Sequence, residues 1–142
     1  MTIYRYTVLW ADLDANQHLK NTRYLDYAGQ TRFRFLADHG FTPADFAAAR
    51  MGPVVMEDRV RYLREFRLLE EFDVNIELVG QNESGSRFNL RNTFFNLAGE
   101  VCAEVWSHAA WFNLKERRIA APPEGLAGAM GAMTKAADYS PL

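Results

Sequence analysis

Asp14-Ala15-Asn16-Gln17-His18-Leu19-Lys20-Asn21, running on into Thr22-Arg23-Tyr24, is where the chain turns from strand-like to helix-like sequence. Before it, residues 3–10 (Ile-Tyr-Arg-Tyr-Thr-Val-Leu-Trp) are β-branched and aromatic, the composition of a strand. After it, Tyr24, Ala28, Thr31 and Phe35 recur at helical spacing over 22–39. Leu25 and Leu36 stand beside that stripe, and Arg23, Asp26, Gln30 and Arg34 lie opposite. His39-Gly40 closes the helix, glycine being the usual residue just past a C-cap. Between the two elements, Asp14, Asn16 and His18 fall at every second residue and so project to one side of an extended backbone. Asn21 stands where a helix N-cap belongs. An acid, an amide and an imidazole are thereby aimed at the positive end of a helix, which favours negative charge developing on an oxygen. The same residue types also build ordinary turns by bonding their own loop backbone, so a purely structural turn stands beside the functional reading.

The chain beyond this helix is read mainly as strands. Thr42-Pro43 is an N-cap followed by proline at the first helical position, opening a short second helix that Gly52-Pro53 stops. The period then drops to two. Val54, Met56, Val60 and Tyr62 share a face across 53–66, and Val74, Ile76 and Leu78 alternate with Asp73, Asn75 and Glu77. Gly80 to Gly85 makes a turn, Phe88, Leu90 and Phe94 continue the alternation, and Ala98-Gly99 turns into a last strand, 100–114. That strand is apolar on both faces near Val105-Trp106 and Ala109 to Phe112, as a central strand is. Short glycine-containing turns imply antiparallel neighbours. The expected fold is therefore α+β: a long central helix packed on a five-stranded antiparallel sheet, in one domain over residues 1–120. Residues 121–142, rich in Ala, Gly, Met and Pro, are expected to form a loosely attached C-terminal helix or mobile tail without chemistry.

Composition narrows the function. At 142 residues the chain fits one domain that buries ~68–70% of its unfolded surface. A net charge of −2 offers no general footprint for nucleic acid or an anionic membrane. No apolar run reaches ~18 residues and the opening has no export signal, so a cytoplasmic location is the default expectation. Cys102 is the single cysteine, which excludes an intrachain disulfide and a cysteine-based metal site. It reads as a small buried hydrophobe.

The loop and its surroundings resemble the hotdog-fold thioesterases of the 4-hydroxybenzoyl-CoA thioesterase type, over about residues 3–114. That family carries an acidic D-x-D motif before its central helix, as Asp12-Leu13-Asp14 stands before Tyr24-Leu25-Asp26-Tyr27 here. The wording is closer still to plant-type acyl-ACP thioesterases, whose D-L-D-x-N-Q-H-x-N-N-x-x-Y run is similar to Asp12 through Tyr24, with Lys20 in place of an asparagine. The resemblance implies catalytic roles for Asp14, Asn16 and His18. A Y-R-R-E-C segment there is similar to Tyr62-Leu63-Arg64-Glu65-Phe66, which nominates Glu65 as a further catalytic acid. It also implies that a backbone N–H near Asn21 polarises the thioester carbonyl, with Tyr24 in the substrate site. The plant enzymes have two hotdog units, and this chain has one.

The implied activity is hydrolysis of an acyl-CoA to free acid and CoA, with no cofactor. Acyl groups on a carrier protein are the alternative substrate, and a hotdog module that binds acyl-CoA without turnover is the alternative function. Hotdog hydratases use an H-F-P-type segment that this chain lacks. Among Arg59, Arg61, Arg64, Arg67, Arg87 and Arg91, mostly a solvated face, Arg87 is the candidate for the CoA phosphates. Phe33 is a candidate for an acyl tunnel or a subunit contact. His108 is expected to be packed, and a metal at Asp12, Asp14 and His18 is not expected for want of a second histidine at ligand spacing. An unpaired edge strand at 54–64 implies self-association, as a homodimer or homotetramer.

Overall fold

A computed structural model describes residues 1–142. The elements are β1 (Ile3–Thr7), α1 (Arg23–Asp38), α2 (Pro43–Ala49), β2 (Met51–Tyr62), β3 (Glu71–Asn75), β4 (Glu77–Gln81), β5 (Arg87–Asn96), β6 (Val101–Asn113), β7 (Arg118–Ile119) and α3 (Glu124–Gly131). Five strands form the path β1-β3-β5-β6-β2, every pairing antiparallel, with β4 added on β5 and β7 on β6. The central strands are β5 and β6, and β2 is an edge.

Residues 71–81 read as one alternating strand but divide into β3 and β4, both paired with β5. Side chains patch the break. Asn75 Oδ1 accepts the Thr93 amide at 2.6 Å, and Asn92 Nδ2 donates to the Asn75 carbonyl at 2.8 Å. Buried backbone groups that lose their ladder partners need such replacements. In β2 the register shifts between Val55 and Glu57, so the single face expected for Val54, Met56, Val60 and Tyr62 is broken by a bulge at Met56.

The core lies between α1 and the sheet. Tyr24, Tyr27, Ala28, Thr31, Phe35 and Leu36 are the buried face of α1, packed over Phe72, Phe94 and Val105. Tyr27 joins the expected stripe, while Leu25 is exposed. Thr42 caps α2 as the sequence indicates, its hydroxyl accepting from the Asp45 amide and the Asp45 carboxylate accepting from the Thr42 amide.

The C-terminal segment forms the helix that is one of its two expected states, α3, but is not loosely attached. Leu126, Ala129 and Met130 of α3, with Met133 beyond it, are buried in the same core as α1. The Ala136, Ser140 and Leu142 amides then bond the Leu78, Val79 and Gln81 carbonyls of β4. Alanine and methionine give no strong periodic signal, yet they are enough to fill a shallow groove. The segment is packed down along its length. No helix is long and apolar enough to cross a membrane.

Candidate active site

The loop before α1 is a turn, not an extended run. The chain turns at residues 15 and 16, closed by the Gln17 amide on the Asp14 carbonyl, and Gln17 takes a left-handed backbone (φ 64°). The Asp14 amide donates to the His18 carbonyl at 2.9 Å, and Asp14 Oδ1 accepts the amides of Asn16 at 2.8 Å and His18 at 3.1 Å. The turn reading holds: Asp14 bonds its own loop backbone. One carboxylate oxygen ties the loop, and the other makes no bond within the protein. The reversal also defeats the every-second-residue rule. Asn16 is exposed and does not share the cleft with Asp14 and His18.

Pairing then draws in a second segment. Leu19, buried, donates its amide to the Phe66 carbonyl at 2.9 Å, and His18 bridges to Arg67. Residues 62–67 are thereby laid against the loop. The result is an open cleft of about 290 Å³ lined by Asp14, His18, Leu19, Asn21, Tyr24, Tyr62, Leu63, Arg64 and Glu65. Tyr62, Leu63 and Arg64 are lining residues that alternation along a strand does not single out; the Tyr-Leu-Arg-Glu segment was the available signal.

Asp12 has a different task from Asp14. It is 4% exposed, accepts from the Tyr27 hydroxyl at 2.5 Å and from the Leu9 amide at 3.0 Å, and pairs with Arg23 Nε at 3.1 Å. Its carbonyl also accepts the Lys20 amide at 2.7 Å. Asp12 is the peg that fixes the loop to the first turns of α1.

Asn21 does not cap the helix. Thr22 occupies the cap position, in helical backbone and with no side-chain bond to a free amide. The Asn21 and Thr22 amides donate to nothing within the protein. Tyr62 instead donates its hydroxyl to the Asn21 carbonyl at 2.9 Å, which fixes the plane of the peptide that carries the Thr22 N–H. An uncapped start leaves donors available at the positive end of a 16-residue helix.

The polar groups around the cleft are unequal. Tyr24 is 3% exposed, its hydroxyl makes no bond, and burial pushes its pKa well above the usual phenol range. Burial also raises Tyr62. Both are held as neutral phenols. Glu65 lies exposed at the rim, and its own backbone N–H, followed by the nearby His18, holds it below the usual carboxylate range. Arg64 pairs with Glu100 at 2.9 Å. Arg87 is not at this cleft. It faces Ala110 on β6, seven residues from the Ala103 that faces Tyr62, or roughly 23 Å at a strand's rise. The cleft holds Asp14, His18, Asn21, Tyr24 and Glu65, and leaves out Asn16 and Arg87.

Residues 8–130 match the family model of the thioesterase-like superfamily. The chain belongs to that superfamily. Its α+β fold is the hotdog arrangement of the superfamily's solved members. The hypothetical protein SAV2348 of Staphylococcus aureus, solved in complex with CoA, is 21% identical over 91% of this chain and 80% of its own, with a TM-score of 0.83. YbaW of Escherichia coli, a probable thioesterase, is 22% identical over 95% and 100%, with a TM-score of 0.76. Slr0204 of Synechocystis, a 1,4-dihydroxy-2-naphthoyl-CoA thioesterase, is 15% identical over 92% and 95%, with a TM-score of 0.81. No curated protein matches the sequence.

Proposed function

We propose that the protein hydrolyses acyl-CoA thioesters in the Asp14 cleft. The observation that carries this reading is a carboxylate with one oxygen tied to its loop and one free, beside two unbonded amides at a helix start. Membership of the superfamily supports the reaction, and the CoA complex of a similar fold supports the choice of carrier. The thioester carbonyl oxygen accepts from the Asn21 and Thr22 N–H groups, and negative charge that develops there is stabilised by the helix end. Such donors are worth ~2.7–4 kcal/mol each in enzymes where one has been removed.

Two routes use the same residues. In one, the free Asp14 oxygen attacks the carbonyl carbon, the carbon–sulfur bond breaks, CoA leaves as thiolate and takes a proton from solvent, and water then cleaves the mixed anhydride. In the other, Asp14 removes a proton from water, whose oxygen attacks directly. A single turnover in ¹⁸O-water separates them. Label in the Asp14 carboxylate marks an anhydride opened by water at the aspartyl carbon, whereas label in the released acid alone marks water attack on the acyl carbon, as the base route requires. His18 positions water in both, and Glu65, a weak base at the rim, serves as a secondary anion. Arg64 is the cation at hand for a CoA phosphate.

The edge of β2 exposes Val55, Met56 and Tyr62, and we infer that a second copy pairs there, beside the cleft. The direct experiment measures thiol release from a panel of acyl-CoAs. Asp14→Ala is expected to lose ~10⁴-fold in kcat, and His18→Ala ~10²-fold. Undiminished turnover in Asp14→Ala would remove the assignment.

A further inference from the structure

The two N–H groups left without a partner before α1 sit on peptides whose carbonyl ends are both tied down. The Lys20 carbonyl, on the peptide that bears the Asn21 N–H, accepts the Arg23 amide at 2.9 Å. The Asn21 carbonyl, on the peptide that bears the Thr22 N–H, accepts the Tyr62 hydroxyl at 2.9 Å. A peptide is planar, so a bond at its oxygen also sets where its N–H points. The first tie is local and closes a β-turn over residues 20–23. The second comes from the last residue of β2, forty-one positions along the chain.

Neither partner of that second bond needs it for burial. Asn21 is exposed and Tyr62 is 48% exposed, so water is at hand for both. What the bond adds is direction. The middle peptide of a β-turn is the one free to flip, and flipping takes the third residue to a φ of about +80°. Here the third residue is Thr22, at φ −71°, and β-branched residues resist positive φ. A flip would also swap the Thr22 N–H for the Asn21 carbonyl, an acceptor where a donor is wanted. Tyr62 itself is well held. Its ring meets Tyr24 edge-on at 5.1 Å, and the Leu63 and Arg64 amides after it bond the Cys102 carbonyl at 2.8 and 3.0 Å. A bond accepted at an amide oxygen further polarises the N–H on the same peptide, a strengthening of roughly 10–30%.

We propose that Tyr62 is a positioning residue for thioester hydrolysis: its hydroxyl, with the β-branch of Thr22, locks the Asn21–Thr22 peptide so that the N–H meets the oxygen on which charge develops. This rests on the hydrolysis proposed for the Asp14 cleft. Tyr62 acts through the Asn21 carbonyl, and no proton passes through it. The edge of the sheet thus completes a donor pair that the loop and the helix only begin.

Thiol release from the acyl-CoA panel, per folded molecule, tests this in Tyr62→Phe, which keeps the ring on Tyr24 and removes the hydroxyl alone. Outright removal of an oxyanion donor costs ~10²–10³-fold in kcat, so a loosened one is expected to cost ~10–30-fold. KM should stay within ~2-fold, as for an interaction made only in the transition state. The pH profile should keep its position. Thr22→Gly alone should cost ~3-fold, because Tyr62 still opposes the flip, and the two changes together should cost ~300-fold, more than their product. A purely structural Tyr62 would lower the folded fraction or raise KM and leave kcat at the parent's value. That result, a shifted pH profile, or losses that simply multiply would overturn the role of Tyr62 while leaving the hydrolysis standing. A parent protein that releases thiol from no acyl-CoA would overturn the hydrolysis, and this role with it.

Discussion

The loop of residues 12–22 and the segment of residues 121–142 flank the same helix, and they are held to it by opposite means. The loop is polar and owes its shape to directed bonds: Asp12 to Tyr27 and Arg23, Asp14 to two amides of its own turn. The C-terminal segment is bland in sequence and is held by burial of Leu126, Ala129, Met130 and Met133. Directed bonds fix an orientation, which a reacting group needs. Burial fixes a position without specifying direction, which suffices to close a core. In the loop, then, neighbouring acids should separate stability from chemistry, whereas in the tail apolar truncation should cost stability alone.

The sharpest contrast is between two acids two residues apart. Asp12→Ala leaves the Tyr27 hydroxyl and the Leu9 amide without their acceptor and strips Arg23 of its buried partner. A loss of ~3 kcal/mol in chemical denaturation is expected. Asp14→Ala should cost only ~1 kcal/mol, because it removes two bonds at a partly exposed turn, while taking the largest loss in turnover. If both variants lost stability equally, the division of labour between peg and reacting acid would fail.

At the other end, Leu126→Ala should destabilise by ~2–4 kcal/mol, since a fully buried leucine leaves a cavity when truncated. Thiol release per folded molecule should be unaffected, because α3 does not line the cleft. A stability change within ~0.5 kcal/mol would mean that the segment is held loosely after all.

What the sequence disclosed follows the same division. Periodicity located α1 and the strand path, because burial on one face leaves a repeat at 3.6 or 2 residues. It also located the cleft, because the run from Asp12 to Tyr24 is dense in functional groups. It misjudged Asn16, since the chain turns at residues 15 and 16, closed by the Gln17 amide on the Asp14 carbonyl, and nothing in the residue types announces that. It misplaced Arg87, whose distance from Tyr62 depends on strand register rather than on position in the chain. It made Asn21 a cap, whereas Tyr62, forty-one residues away, holds the Asn21 carbonyl. It missed the attachment of 121–142, because a groove's shape is written in the residues that form it and not in the alanines that fill it.

Gly29→Ala acts in the opposite direction from the other substitutions. The added methyl meets nothing within 4 Å, so the helix gains ~0.5–1 kcal/mol in unfolding free energy, read as a raised denaturant midpoint. No gain would show that the backbone at 29 is already strained or that the space is smaller than it looks.

The smallest effect concerns the last residues. Asp138 takes two bonds from Arg91, at 3.0 and 3.1 Å, and these hold its pKa below the usual aspartate range. A carboxyl whose pKa is lower folded than unfolded contributes stability that is present above its unfolded pKa and is lost as pH falls through the folded one. The pair is solvent-exposed on the aspartate side, so the contribution is local. Hydrogen exchange at the Ala136, Ser140 and Leu142 amides, which bond β4, should therefore accelerate relative to core amides only below the ordinary aspartate range. In Asp138→Asn those amides should already be less protected at neutral pH and show no extra acid loss. Equal acid sensitivity in the two proteins would assign the strap's hold to burial of Met133 and Ala136 instead, and would extend the rule for α3 to the very end of the chain.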